Sequence, residues 1–225
     1  LQNSADSRLT LGRIGSHAEA RSAAAASAAL RSILTEPLPP GGRLAPLYAA
    51  WLARLLGNGD DNATRPAADA AWQSQLSGEP LAYDPTLERL IYEPRPGAWS
   101  FAHPALAHHL AACSPSATLA ALTTHLADPD WREIIALWAA RSPDATTLLD
   151  RALASFRSAL PDAPAAHLQA LTTLVLRILE EMPDPPRDAR EVALVGALDT
   201  LHRAQAEADT ATIRALGQSL ADHQG

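Results

Sequence analysis

Three joints constrain this chain more than any other feature: Ser114-Pro115, Asp128-Pro129 and Ser142-Pro143. Each puts a capping side chain ahead of a proline. Proline is tolerated at the first helical position because its missing N–H would have no partner there. With the apolar spacing between them, these joints predict helices over 115–127, 130–141 and 143–160, continued by 163–181, 187–206 and 209–222. Short joints imply antiparallel neighbours, and unequal lengths without a tight repeat argue for an irregular α-solenoid over 114–225. Alanine, the strongest helix former, supplies much of the 47% apolar content, while aromatic residues make up only 4%. The core therefore rests on a few large anchors, and Trp51, Trp72, Trp99, Trp131 and Trp138 are the candidates.

The first half reads differently. Residues 1–15 are polar and form a lead-in strand or linker. Ser16 and Glu19 make a capping box that opens an alanine-dominated helix to Leu34, stopped by the Pro- and Gly-rich stretch 36–42. The run Ala23 to Ala29 reflects helix propensity. Leu44, Leu47, Tyr48, Trp51, Leu52 and Leu55 form one helical face, and Pro66 starts a third helix over 67–76. Leu90-Ile91-Tyr92 and Trp99-Ser100-Phe101 are β-prone and flank a turn-rich 93–98, which predicts a hairpin with a longer loop. Three helices followed by a hairpin is the winged-helix order, so 16–113 is read as a winged-helix-like domain. The fold class is mainly α, with 225 residues divided between two domains.

All 18 basic residues are arginines. A phosphate-binding loop of the G-x-x-x-x-G-K-[ST] kind is therefore absent, as are Schiff-base and Ser-Lys chemistries. The net charge of −7 is interleaved and leaves no basic face, which disfavours nucleic acid as a partner. There is no G-x-S-x-G elbow, and the carboxylate pairs Glu180-Glu181 and Asp60-Asp61 are expected to be solvated charge. No catalytic residue is assigned. The lone Cys113, with no signal peptide and no apolar run of membrane-spanning length, predicts a soluble cytoplasmic protein with no membrane partner. Met182 is the only methionine, so the chain reads as a fragment of something longer.

The stretch Trp99 to Ala140 orders its residues distinctively. Phe101-x-His103 ends the hairpin, Leu106 and Leu110-Ala111-Ala112 follow on a helix, and Asp128-Pro129-Asp130-Trp131-Arg132-Glu133 opens the next. This order resembles the end of the winged-helix region in bacterial STAND-class signalling NTPases of the NACHT type. His108 stands where that family has an acidic residue, and His109 where it has an aromatic one. The resemblance implies that His103 reaches the β-phosphate of bound ADP. A charge-assisted hydrogen bond of that kind would tie the winged helix to the nucleotide in the closed state. It further implies that ADP or ATP and the Walker loop belong to an NTPase domain of the same polypeptide, and that the protein oligomerises on activation. This chain would be the regulatory or sensor part, with no cofactor and no enzymatic activity of its own.

Blander readings stand beside that one. His103 can simply cap the following helix or pack beside Trp99. His103, His108, His109 and Cys113 suggest a metal site, but adjacent histidines point about 100° apart on a helix, and a solvated or interface cluster accounts for them better. Trp131, Ile134, Ile135, Leu137 and Trp138 form a core-facing stripe, and Arg132 and Glu133 are surface residues that point apart. The alternative function is a non-enzymatic α-helical scaffold for protein partners, unrelated to nucleotide. A transcription-factor-like winged helix is a third option, opposed by the acidic balance.

Overall fold

The computed structural model describes residues 43–56, 61–207 and 209–223. It is mainly helical, with one small two-stranded antiparallel sheet. The lead-in segment, the capping-box helix with its alanine run, the stop at 36–42 and Asp60 lie outside the described residues. Among the described residues two helices come first, α1 (Leu44–Leu56) and α2 (Asp61–Ser77). Pro66 does not begin α2 but falls inside it, so the helix forgoes one i→i−4 hydrogen bond and starts earlier than the proline suggested.

The hairpin pairs β1 (Ile91–Arg95) with β2 (Ala98–Phe101), in register Ile91 with Phe101, Tyr92 with Ser100 and Arg95 with Ala98. Its turn is tighter than the sequence suggests. Pro96 and Gly97 alone connect the strands, and Gly97 has φ of +76°, the left-handed position that a type II turn gives to glycine after proline. Pro94 stays within β1, which is possible because the sheet has only edge strands and the register is irregular between Tyr92 and Arg95. Leu81 bridges to Trp99 on the other side, its N–H donating to the Trp99 carbonyl at 2.8 Å.

The remaining helices are α3 (Pro104–Cys113), α4 (Leu119–Thr123), α5 (Arg132–Ala139), α6 (Ala145–Ala159), α7 (Ala165–Glu181), α8 (Arg187–Ala206) and α9 (Thr210–His223). The predicted helix over 115–127 shrinks to the single short α4. Ser114 Oγ donates to Asp69 Oδ1 on α2 at 2.8 Å and accepts from Ser116 N at 3.2 Å, but only a turn follows it, and Thr118 takes an extended backbone and caps Ala121. The second capping residue decides where that helix starts. Asp128 does cap, accepting from Asp130 N ahead of a 3-10 turn at Pro129–Trp131 that runs into α5. Ser142 Oγ accepts from Asp144 N, and α6 begins one residue later.

Burial follows a simple hierarchy. α5 is buried over its whole run Ile134 to Ala139 and packs against α3, α6 and α7. α3 is the hub for α1, α2 and β2, and α7 is the hub for α6, α8 and α9. One hydrophobic cluster runs without a break from Ala45 to Ala193 through this α3–α5–α7 spine. Trp51, Trp72, Trp131 and Trp138 are buried in it as expected, whereas Trp99 is half-buried against Tyr83. Trp131 stacks on His125 at 3.9 Å and meets the edge of Trp72 at 5.1 Å. Among the described residues, no helix is long and apolar enough to cross a membrane.

Candidate functional site

His103 sits where β2 ends and α3 begins. Its backbone is extended, and its Nδ1 accepts the Ala105 N–H at 3.3 Å, so the imidazole is the N-cap of α3. An accepting Nδ1 leaves the ring's proton on Nε2, which makes Nε2 the donor. The ring meets Trp51 of α1 nearly edge-on, at 5.3 Å and 82°. It therefore does cap the helix, but its aromatic neighbour is Trp51 and not Trp99.

Half-buried, His103 lines a cleft of about 530 Å³ with Tyr48, Pro104, Ala105, His108, Glu133 and Leu137. Burial pushes the Tyr48 hydroxyl above its ordinary pKa, with Glu133 adding to the effect. Burial likewise holds His108 below the ordinary imidazole range, against the pull of Glu133 and Asp130. The imidazoles of His103 and His108 thus bring hydrogen-bonding nitrogens to a cleft whose one carboxylate, Glu133, is already bound by Arg177 at 3.1 Å.

Behind that cleft lies a polar network that the sequence did not disclose. Glu181, expected to be solvated charge at a helix end, is fully buried. Its carboxylate accepts from Arg177 Nη2 at 2.7 Å and from the backbone N–H groups of Leu44 and Ala45 at 2.9 and 3.1 Å. It caps α1 from the far end of the chain. Arg177 also binds Glu180 at 3.1 Å and Glu133. Burial works against its charge, but the three carboxylates outweigh that effect and raise its pKa. Glu133 reaches Arg132 as well, at 3.7 Å, so these adjacent residues do not point apart as expected; Glu133 is drawn inward by Arg177.

His108 and His109 diverge as neighbours on a helix must, and they serve different surfaces. His108 faces the His103 cleft, whereas His109 lines a second cavity on the other side of α1, together with Cys113. His109 is not part of a solvated cluster. It is 5% exposed, its Nε2 lies 3.8 Å from Cys113 Sγ, and its Nδ1 is buried with no hydrogen-bond partner among the described residues. Burial lowers its pKa to about 4 and raises that of the Cys113 thiol, so both are uncharged at neutral pH. Among the described residues, no group of three His, Cys, Asp or Glu side chains comes together to hold a metal ion.

The second cavity also went unread, because Arg43, Arg65 and Arg141, which line it, come from three separated stretches of chain. No family model, curated protein or solved structure matches this chain.

Proposed function

We propose that this chain is the regulatory part of a STAND-class signalling NTPase of the NACHT type. Residues 16–113 would form a winged-helix-like unit and residues 114–225 an irregular solenoid. The chain performs no chemical step. It holds ADP in the closed state and couples nucleotide state to sensing and oligomerisation, a two-state element biased by its ligands. The NTPase domain, with its Walker loops and nucleotide, is supplied by the same polypeptide. The observation that carries the reading is the placement of His103. It directly follows a β-hairpin, it is fixed by its cap to α3, and its Nε2 is left as the donor, in the order Phe101-x-His103 that the resemblance turns on.

The test separates capping from nucleotide binding. Asparagine is a good N-cap but does not offer an imidazole donor. In the complete polypeptide, His103→Asn should therefore leave thermal stability unchanged, lower the ADP released on denaturing the purified protein, and raise basal signalling. Unchanged ADP retention and unchanged basal signalling overturn the reading. Walker A and acidic Walker B motifs upstream of Leu1 in the reading frame are a further expected outcome.

A second reading, a helical scaffold for protein partners, is favoured by one feature. Leu194, Val195 and Leu198 are exposed together on α8, at 43%, 57% and 54%. An upstream reading frame without either Walker motif selects this alternative.

A further inference from the structure

The cavity behind His109 is a different place from the His103 cleft, and the two share no lining residue. It is an open cleft of about 660 Å³ between α1, α2, the end of α3 and the turn after α5, with Arg65 and Arg141 exposed. That volume falls within the roughly 300–1,000 Å³ typical of small-molecule sites. Its lining is unusual for this chain. The protein carries 25 acidic and 18 basic residues, yet among the described residues three arginines and no carboxylate line this cavity.

None of Arg43, Arg65 and Arg141 forms an ion pair with a carboxylate among the described residues. Three guanidinium groups around one concavity repel one another, and an acidic protein has carboxylates enough to pair them on its surface. Guanidinium is also the side chain best shaped for bidentate contact with a planar or tetrahedral oxyanion. Most of the remaining wall is small and apolar, including Ala49, Leu52, Ala53 and Ala68, with Thr64, His109 and Cys113 set into it.

We propose that this cavity binds a small amphiphilic anion, its phosphate or carboxylate held among Arg43, Arg65 and Arg141 and its compact apolar body against the alanine-rich wall. Cys113 lines the same cavity as Arg141, which places the single thiol of the chain at the same wall. Cys113 is thereby a built-in reporter of occupancy.

The experiment uses the full chain and three probes of matched shape: 1-naphthyl phosphate, 1-naphthoate and neutral 1-naphthol. Binding is followed by calorimetry and by the rate at which N-ethylmaleimide alkylates Cys113. The expected result is saturable binding of at least one anion, with alkylation slowed about tenfold at saturation and the protection weakening as salt rises. Preference for naphthyl phosphate identifies a phosphorylated ligand, and equal or tighter binding of naphthoate a carboxylate. Arg43→Ala and Arg65→Ala should each weaken binding about tenfold, the scale of one charge-assisted hydrogen bond, without moving the melting temperature. Equal protection by 1-naphthol, no protection by either anion, or unchanged affinity in both arginine variants overturns the proposal. None of these outcomes bears on ADP retention, so this proposal and the proposed function fail independently.

Discussion

The carboxylate of Glu181 accepts the backbone N–H of Leu44, 137 positions earlier in the chain, at 2.9 Å. The first turn of any helix leaves N–H groups without intrahelical partners, and α1 has no acidic residue of its own there. Glu181 provides the acceptor and places negative charge at the positive end of the helix dipole. The same device recurs once more. Pro164 gives α7 no side-chain cap, and Glu207 Oε2 accepts from Ala165 N at 3.1 Å instead. Early and late segments are thus fastened to each other by caps that lie far away in sequence.

Removing the Glu181 carboxylate leaves Arg177 with Glu133 and Glu180 alone and takes the cap from the start of α1. Glu181→Ala should lower unfolding free energy by about 2–4 kcal/mol, the sum of a lost helix cap and a lost hydrogen bond to a charged group. Glu181→Gln keeps an acceptor for Leu44 and should lose about half as much, since one polar partner remains. Urea unfolding of the two variants checks the order. An alanine variant no worse than the glutamine one would show that the cap contributes nothing.

How legible the fold was in the sequence depended on range. The 187–206 helix was bounded correctly because Pro185 and Pro186 stop anything before it and the following joint is polar. α5 was readable from the apolar positions around Trp131, and that stripe proved to be core. The 115–127 helix breaks up because two capping residues compete there: Ser114 caps only a turn, and the helix begins after Thr118. Adjacent glutamates at a helix end carry no sign that one is buried, since the partner of Glu181 is the start of a helix in another part of the chain. The three cavity arginines are equally silent. His103 is the converse case, because its cap is local and follows from an extended residue ahead of Pro104.

Gly196 on α8 marks a close approach of helices. A Cβ built there would lie 2.9 Å from Cε1 and 3.0 Å from Cζ of Phe156 on α6, closer than real contacts allow. Alanine normally gains about 1 kcal/mol over glycine inside a helix, but overpacking a core takes back about 1–3 kcal/mol. Gly196→Ala should therefore be neutral to destabilising by about 2 kcal/mol. The discriminating measurement is a double-mutant cycle with Phe156→Leu. Relief of the clash should make Gly196→Ala stabilising in that background, and an unchanged effect would remove Phe156 as the reason for the glycine.

His109 makes stability depend on pH with a definite sign. Its pKa falls from 6.5 to about 4 on folding, mainly through burial, with Arg141 adding to the effect. Above pH 6.5 the imidazole is neutral in both states and the native fold has its full stability. As pH drops towards 4, the unfolded chain takes up a proton that the folded chain refuses, so stability is lost across that window and levels off below it. The full effect is about 3 kcal/mol, and His108, lowered in the same direction, adds to it. His109→Gln removes the titrating group, so the fall in unfolding free energy between pH 7 and pH 4.5 should be smaller in the variant by about 2–3 kcal/mol. Chemical unfolding of both proteins at the two pH values reads that difference directly, independent of any change the substitution makes at neutral pH. Parallel pH profiles would mean that the imidazole is protonated in the folded protein and that its burial does not exclude charge.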